Sequence, residues 1–206
     1  AAHCLRHSNI SHVGIGLHSQ YFPDPSSEMF SVSEIIPHFA YNQVPARNDI
    51  ALLRFEGISV FYSSNFIIGR LDIDIYMVAG WGKSDTNKES EGVRYTDVKT
   101  ISFQECFSRY TTRTSSHLRN WLYMSDNVCT APSNTGSCQG DSGGPMFRYE
   151  DRTLVLLGLV SWQYGCANTY PTVYTRLETY LSWICDHVRI SNCSLPIEDS
   201  PPILSL

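Results

Sequence analysis

The chain has 206 residues, of which 42% are apolar and 17% charged, and its formal net charge is −5. That length accommodates one two-part domain with a sizeable core. The apolar share excludes a disordered chain, and an acidic balance without any Lys/Arg run speaks against nucleic acid as a partner. The longest apolar run, LVLLGLV at 154–160, is far too short to span a bilayer. No signal-peptide pattern opens the chain, and its first residues, AAHC, read like the middle of a longer sequence.

Taken in chain order, short runs rich in β-branched and aromatic residues recur between Gly, Pro, Asn and Ser. They predict strands at HVGIGL (12–17), FSVSEII (30–36), DIALLRF (49–55), MVAGWG (77–82), LVLLGLVSW (154–162) and TVYTRL (172–177). DIALLRF is apolar on both faces of a strand and is expected to lie buried rather than half exposed. One helix is expected, and late: Leu177, Tyr180, Leu181, Ile184 and Val188 form a single apolar stripe. The closing SNCSLPIEDSPPILSL carries three prolines and no periodicity, which predicts an irregular tail over 191–206. Many short strands with one terminal helix predict an all-β protein of barrel or sandwich architecture.

The seven cysteines (4, 106, 129, 138, 166, 185 and 193) include no C-x-x-C pair. Their single scatter suits disulfides in a secreted, extracellular protein better than a metal cage. Sequons at Asn9 and Asn192 fit glycosylation in the same compartment. His3, Cys4 and His7 offer nitrogen and sulfur donors close together, but no complete set of zinc ligands accompanies them. No acidic loop of calcium-binding density occurs between 18 and 30. No metal and no cofactor is expected.

The stretch GSCQGDSGGP, 136–145, is too rich in glycine to build a packed core. A serine hydroxyl such as that of Ser142 becomes a nucleophile only with a base within hydrogen-bond reach. It also needs N–H donors aimed at the oxygen that turns negative during acyl transfer. Glycines let the backbone turn tightly and admit a carbonyl without a Cβ in its way, so the N–H groups of Gly140 and Ser142 are candidate donors. Taken alone, the motif is as well explained by a glycine-serine turn. Among the histidines His3 stands apart, enclosed by small residues and a cysteine. Asp49 opens an apolar strand, a costly place for a carboxylate without a partner. Alone, Asp49 reads as a turn or capping residue; it acquires meaning jointly with His3 and Ser142.

AAHC, then DIALL, then GDSGGP, in that order, resemble the trypsin/chymotrypsin-like serine proteases. GWG (80–82), VSW (160–162), P-x-VYT-R (171–176) and LSWI (181–184) match the same family, across residues 1 to 190. The chain order His, Asp, Ser separates this family from other folds that use the same triad. The resemblance implies two six-stranded antiparallel Greek-key barrels followed by a C-terminal α-helix. The first barrel would be partial, over 1–66, and the second with its helix would span 67–190. The implied reaction is peptide-bond hydrolysis: Ser142 attacks the carbonyl, His3 carries the proton, Asp49 orients the imidazole, and the Gly140 and Ser142 N–H groups hold the oxyanion. Ser161 would support Asp49, and Ser161, Trp162 and Gln163 would pair with substrate as an added strand. The implied disulfides are Cys106–Cys129, Cys138–Cys166 and Cys185–Cys193.

By the same resemblance Gly136 lies at the base of the primary specificity pocket, where an acid would select Lys or Arg. Glycine carries no charge. Gln163 and Thr172 stand where many members have glycine and are expected to obstruct the entrance. The expected preference is for small to medium uncharged side chains before the cut, with larger ones admitted if Gln163 swings outward. The implied partners are polypeptide substrates and protein protease inhibitors, met by a monomer.

Departures from the family pattern yield a second reading. Family members become active when a new N-terminal ammonium pairs with the acid before the nucleophile, here Asp141. Ala1, two residues from His3, cannot do this, so the chain reads as an N-terminally truncated member whose oxyanion loop is expected to collapse. Tyr76 and Arg148 occupy positions where many members carry a disulfide pair. The alternative is therefore a catalytically inactive homologue acting as a binding or regulatory module.

Overall fold

The computed structural model describes residues 1–6, 9–42, 46–57, 59, 66–71, 75–84, 88–113, 122, 125–151, 153–166 and 169–188. A 3₁₀ turn, Ala2–Arg6, precedes strands β1 (His12–Ile15), β2 (Glu28–Pro37), β3 (Ala51–Phe55), β4 (Phe66–Ile68), β5 (Ile75–Gly80) and β6 (Arg94–Ile101). Helix α1 (Phe103–Arg113) follows, then β7 (Asn127–Thr130), β8 (Pro145–Glu150), β9 (Thr153–Trp162) and β10 (Thr172–Arg176). A second 3₁₀ turn, Leu177–Tyr180, runs directly into helix α2 (Leu181–His187).

Six of these strands close on themselves. β5 pairs with β6 and β8, β6 with β7, β7 with β10, β10 with β9, and β9 with β8, all antiparallel. Closure leaves the barrel without an open edge. Its interior is filled by Tyr76, Val78, Val98, Val128, Met146, Val155, Leu157, Val160 and Tyr174. β4 adds to the outer part of β9 in parallel. The N-terminal strands form a separate antiparallel sheet in the order β1-β2-β3.

The terminal helix holds the two sheets together. Leu177, Tyr180, Leu181 and Ile184 pack in one cluster with Ile50 and Ile68, and Ile36 and Leu52 of the small sheet join it. Each fully buried aliphatic side chain contributes roughly 1.5–3 kcal/mol, so this seam fixes residues 48–50 firmly against the barrel. The apolar stripe is present, but its first turn is 3₁₀ rather than α.

Two expectations require correction. β3 is not buried on both faces: Leu53 is 36% exposed and Arg54 lies at the surface, beside Glu34 and the His187 carbonyl. Among the described residues β3 pairs only with β2, which leaves it an edge strand, and none of its five residues is fully buried. Nor is the late helix the only one. In α1, Phe103, Cys106, Phe107 and Tyr110 recur at i, i+3, i+4 and i+7, and Ser102 caps the first turn through the Glu105 N–H at 3.1 Å. S-F-Q-E at 102–105 has the capping-box spacing that would have revealed it. α1 is stapled to β7 by the Cys106–Cys129 disulfide.

Tyr76 and Arg148 meet. The Arg148 guanidinium lies 5.9 Å from the centre of the buried Tyr76 ring and also donates to the Arg70 carbonyl at 3.2 Å. A cation over an aromatic face takes the position of a covalent link here. Arg148→Ala is expected to lower unfolding stability by about 1 kcal/mol, read as a lower urea midpoint with an unchanged slope. An unchanged midpoint would mean that the contact is idle.

Candidate active site

His3 lies in the first 3₁₀ turn, Asp49 two residues before the start of β3, and Ser142 in the loop before β8. Asp49 is held from all sides. Asn48 before it adopts φ +53°, a region Asn tolerates better than most residues. The Asn48 side-chain amide donates to the Ala40 carbonyl at 2.8 Å and its oxygen accepts from the Tyr180 hydroxyl at 3.2 Å. Thr175 of β10 donates to the Asp49 carbonyl at 2.9 Å. Asn48 and Thr175 were not singled out from the sequence, although Asn before an acid at a strand start is a turn signal.

The Asp49 carboxylate is 3% exposed. Its Oδ1 accepts the His3 backbone N–H at 2.8 Å, and its Oδ2 accepts His3 Nδ1–H at 2.7 Å and the Ser161 hydroxyl at 2.6 Å. An ionised carboxylate only accepts, so the proton shared with Asp49 sits on Nδ1, leaving Nε2 to face the other way. Burial by itself would raise the Asp49 carboxyl, but the His3 hydrogen bond and charge and the Ser161 hydroxyl outweigh it and hold it below its ordinary 3.8. Burial would likewise lower His3. The Asp49 hydrogen bond and charge, aided by Cys4, win and raise the imidazole from 6.5 to about 9.

These shifts have opposite consequences for stability. The unfolded imidazole loses its proton near 6.5 and the folded one near 9, so this stabilisation is complete below 6.5 and disappears as pH rises through 9. The Asp49 contribution is present above 3.8 and is lost as pH falls through its lower folded value.

Ser142 is brought close to this pair without joining it. Among the described residues its hydroxyl makes no hydrogen bond to His3. The Cys4 Sγ lies between them, 3.8 Å from His3 Nε2 and 3.7 Å from the Ser142 carbonyl oxygen. The hydrogen bond to His3 is the largest influence lowering the Cys4 thiol.

The loop around Ser142 has a regular pattern of used and open donors. The N–H groups of Asp141, Gly143 and Gly144 donate to the carbonyls of Cys138, Val160 and Asp141 at 3.1, 2.8 and 2.8 Å. Those of Gly140 and Ser142, on either side of Asp141, meet no acceptor among the described residues. Gly140 has φ +95°, which a side chain would strain. The loop is anchored by Asp141, whose carboxylate accepts the Gly82 and Cys138 N–H groups at 2.8 Å each. Asp141, expected to lack an ammonium from Ala1, is thus held by two backbone donors. A cavity of about 380 Å³ adjoins the same carboxylate, lined also by Lys83, Arg94, Gly136 and Cys166. The Ala1 nitrogen is elsewhere, against Gly143.

The remaining expected positions gather nearby. Gly136 (φ +145°) and Ser137 follow β7, Ser161 and Trp162 end β9, Gln163 follows them, and Thr172 opens β10. The Cys138–Cys166 disulfide ties the two segments together. Asn9 is exposed ahead of β1. Cys185 is disulfide-bonded, whereas His7, Asn192 and Cys193 lie outside the described residues. Among the described residues no helix is long and apolar enough to cross a membrane, and no group of three metal-binding side chains occurs.

Residues 1–184 match the family model for trypsin. Trypsin delta of Drosophila melanogaster is 34% identical over 192 residues, covering 89% of this chain and 72% of that protein. Trypsin I-P1 of Gallus gallus is 32% identical over 201 residues, with 89% and 72% covered. Tissue-type plasminogen activator of Bos taurus is 28% identical over 214 residues, with 92% of this chain and 37% of that protein covered. The closed barrel, the terminal helix and these matches define a serine-protease scaffold. The chain belongs to the trypsin family.

The GWG motif now has a physical reason. A Cβ at Gly82 would lie 2.4 Å from the Asp141 carboxyl carbon, and one at Gly80 would lie 2.0 Å from its Oδ1. Gly82→Ala is therefore expected to push the carboxylate off both backbone donors and destabilise the protein by about 1–3 kcal/mol, measured by urea unfolding. A variant as stable as the parent would show that the carboxylate is not held there.

Proposed function

We propose that this chain is a secreted serine endopeptidase acting through an acyl-enzyme. Ser142 Oγ attacks the scissile carbonyl while His3 Nε2 takes its proton and later gives it to the leaving amine. Asp49 keeps the imidazole in the tautomer with Nδ1–H and stabilises the imidazolium. The oxyanion is received by the Gly140 and Ser142 N–H groups, each donor being worth about 3 kcal/mol. The observation that carries this reading is that pair of open N–H groups flanking a serine next to a carboxylate-held imidazole. The absence of a Ser142–His3 hydrogen bond is compatible with it, because such bonds often tighten only when substrate is bound.

The substrate is a polypeptide in extended form, paired along Ser161, Trp162 and Gln163, with a small to medium uncharged side chain before the cut. Relatives named trypsins and a plasminogen activator support the reaction class; Gly136 at the pocket base supports an uncharged residue there. Protein protease inhibitors are natural ligands of the same groove, and the enzyme acts as a monomer. The cavity beside Asp141 is the place assigned to an activating ammonium. Disulfides support the extracellular compartment, and Asn9 and Asn192 are the glycosylation sites proposed for it.

A second reading, a non-catalytic binding or regulatory module, draws on one observation: the hydrogen-bond contact of His3 Nε2 among the described residues is to the Cys4 sulfur at 3.8 Å, with none to the Ser142 hydroxyl. A fluorophosphonate probe separates the two. The full chain is expected to be labelled at Ser142, with labelling abolished by Ser142→Ala and peptide turnover reduced on the order of a million-fold. A properly folded chain that takes no label would leave only the binding module. Because the base must be neutral to accept the serine proton, kcat/KM is expected to climb with pH well beyond 6.5, in keeping with a His3 value of about 9. A rate already level by pH 6 would contradict the assigned base.

A further inference from the structure

The Gln163 side chain bridges two segments expected to line the primary pocket. Gln163 Nε2 lies 3.0 Å from the Ser137 carbonyl oxygen, and Gln163 Oε1 lies 2.8 Å from Thr172 Oγ1. A carbonyl can only accept, so the amide must turn its NH₂ toward Ser137 and leave its oxygen to the Thr172 hydroxyl. The Ser137 hydroxyl is itself hydrogen-bonded to the buried Tyr174 hydroxyl at 3.2 Å. Breaking either Gln163 link takes a partner from a group on a buried residue.

The partners are buried. Thr172 is 1% exposed, Ser137 3%, and Tyr174 is fully buried. The bridge from Gln163 to Ser137 joins the same two segments as the Cys138–Cys166 disulfide, so the Gln163 amide spans the space between the pocket walls. An outward swing of Gln163 would take the amide donor from the Ser137 carbonyl and the amide acceptor from the Thr172 hydroxyl, at about the cost of a buried polar group.

Resting on the proposed endopeptidase reading, we infer that Gln163 is a locked crossbar that caps the side chain before the cut at the size of Val or Thr. Leu, Phe, Lys and Arg are excluded by the bar rather than by charge alone. Thr172 is a positioning residue, acting only through Gln163. The substrate class is thus extended peptides with Ala, Val, Ser or Thr at the cleavage position, unlike the basic residue that an acid at position 136 would select.

Two measurements test this on the full chain. In the first, kcat/KM is compared for peptides differing only in the residue before the cut. The parent is expected to prefer Ala and Val over Leu and Phe by tenfold or more. Thr172→Val, which keeps the shape and removes the hydroxyl, and Gln163→Gly should each raise the Phe-to-Ala ratio at least tenfold, chiefly through KM. Thr172→Ser, which keeps the hydroxyl, should retain the parental ratio. A parent indifferent to size, or ratios untouched by Thr172→Val and Gln163→Gly, would overturn the crossbar while fluorophosphonate labelling of Ser142 still upheld the enzyme. The second measurement does not need turnover: the Gln163 side-chain amide should exchange slowly with solvent by NMR in the parent and Thr172→Ser, and rapidly in Thr172→Val. Fast exchange in the parent overturns the crossbar whatever the activity.

Discussion

A carboxylate buried to 3% exposure sits where the small sheet, the barrel and the terminal helix meet. Left alone, Asp49 would be among the costliest groups in the protein. It persists because the His3 N–H, the His3 ring and Ser161 from β9 converge on its two oxygens, while Thr175 from β10 holds its backbone. These partners lie up to 126 residues from Asp49 in the sequence. The requirement to satisfy one charge thus dictates how the first turn, β3, β9 and β10 are arranged, and it also leaves His3 Nε2 directed away from Asp49.

A second carboxylate plays a parallel part nearby. Asp141 folds the loop of Ser142 back onto the GWG turn, and two glycines leave it the space to do so. Between these two anchors lie the imidazole and a loop in which the N–H groups of Asp141, Gly143 and Gly144 are used while those of Gly140 and Ser142 are open. Beside them the Gln163 amide links the Ser137 carbonyl to the Thr172 hydroxyl.

Much of this was legible in the residues because it rests on local patterns. Aliphatic runs announced β1, β2, β5, β9 and β10, and the stripe from Leu177 announced the terminal helix. α1 escaped because two of its four stripe residues are Cys106 and Tyr110, which read as a disulfide cysteine and a polar aromatic rather than as a helix face. β6, RYTDVKTI, alternates in polarity but carries charges that mask its strand character. The double-sided burial expected for β3 failed because burial depends on what packs over each face of its sheet, and composition says nothing about that. At the site, Gln163 and Thr172 could be read as obstructions. Their hydrogen bond to each other and the bridge to Ser137 could not, since that carbonyl comes from a loop 26 residues away. The same holds for Asn48, whose role is set by partners at Ala40 and Tyr180.

The dependence of this arrangement on the buried carboxylate can be measured at the imidazole. Two-dimensional ¹⁵N NMR of the His3 ring, followed as a function of pH, reports both the tautomer and the titration. The account predicts a proton fixed on Nδ1 throughout and a midpoint near 9, falling toward the ordinary 6.5 in Asp49→Asn. A midpoint at or below 6.5 in the parent, or a ring whose neutral form carries its proton on Nε2, would contradict it.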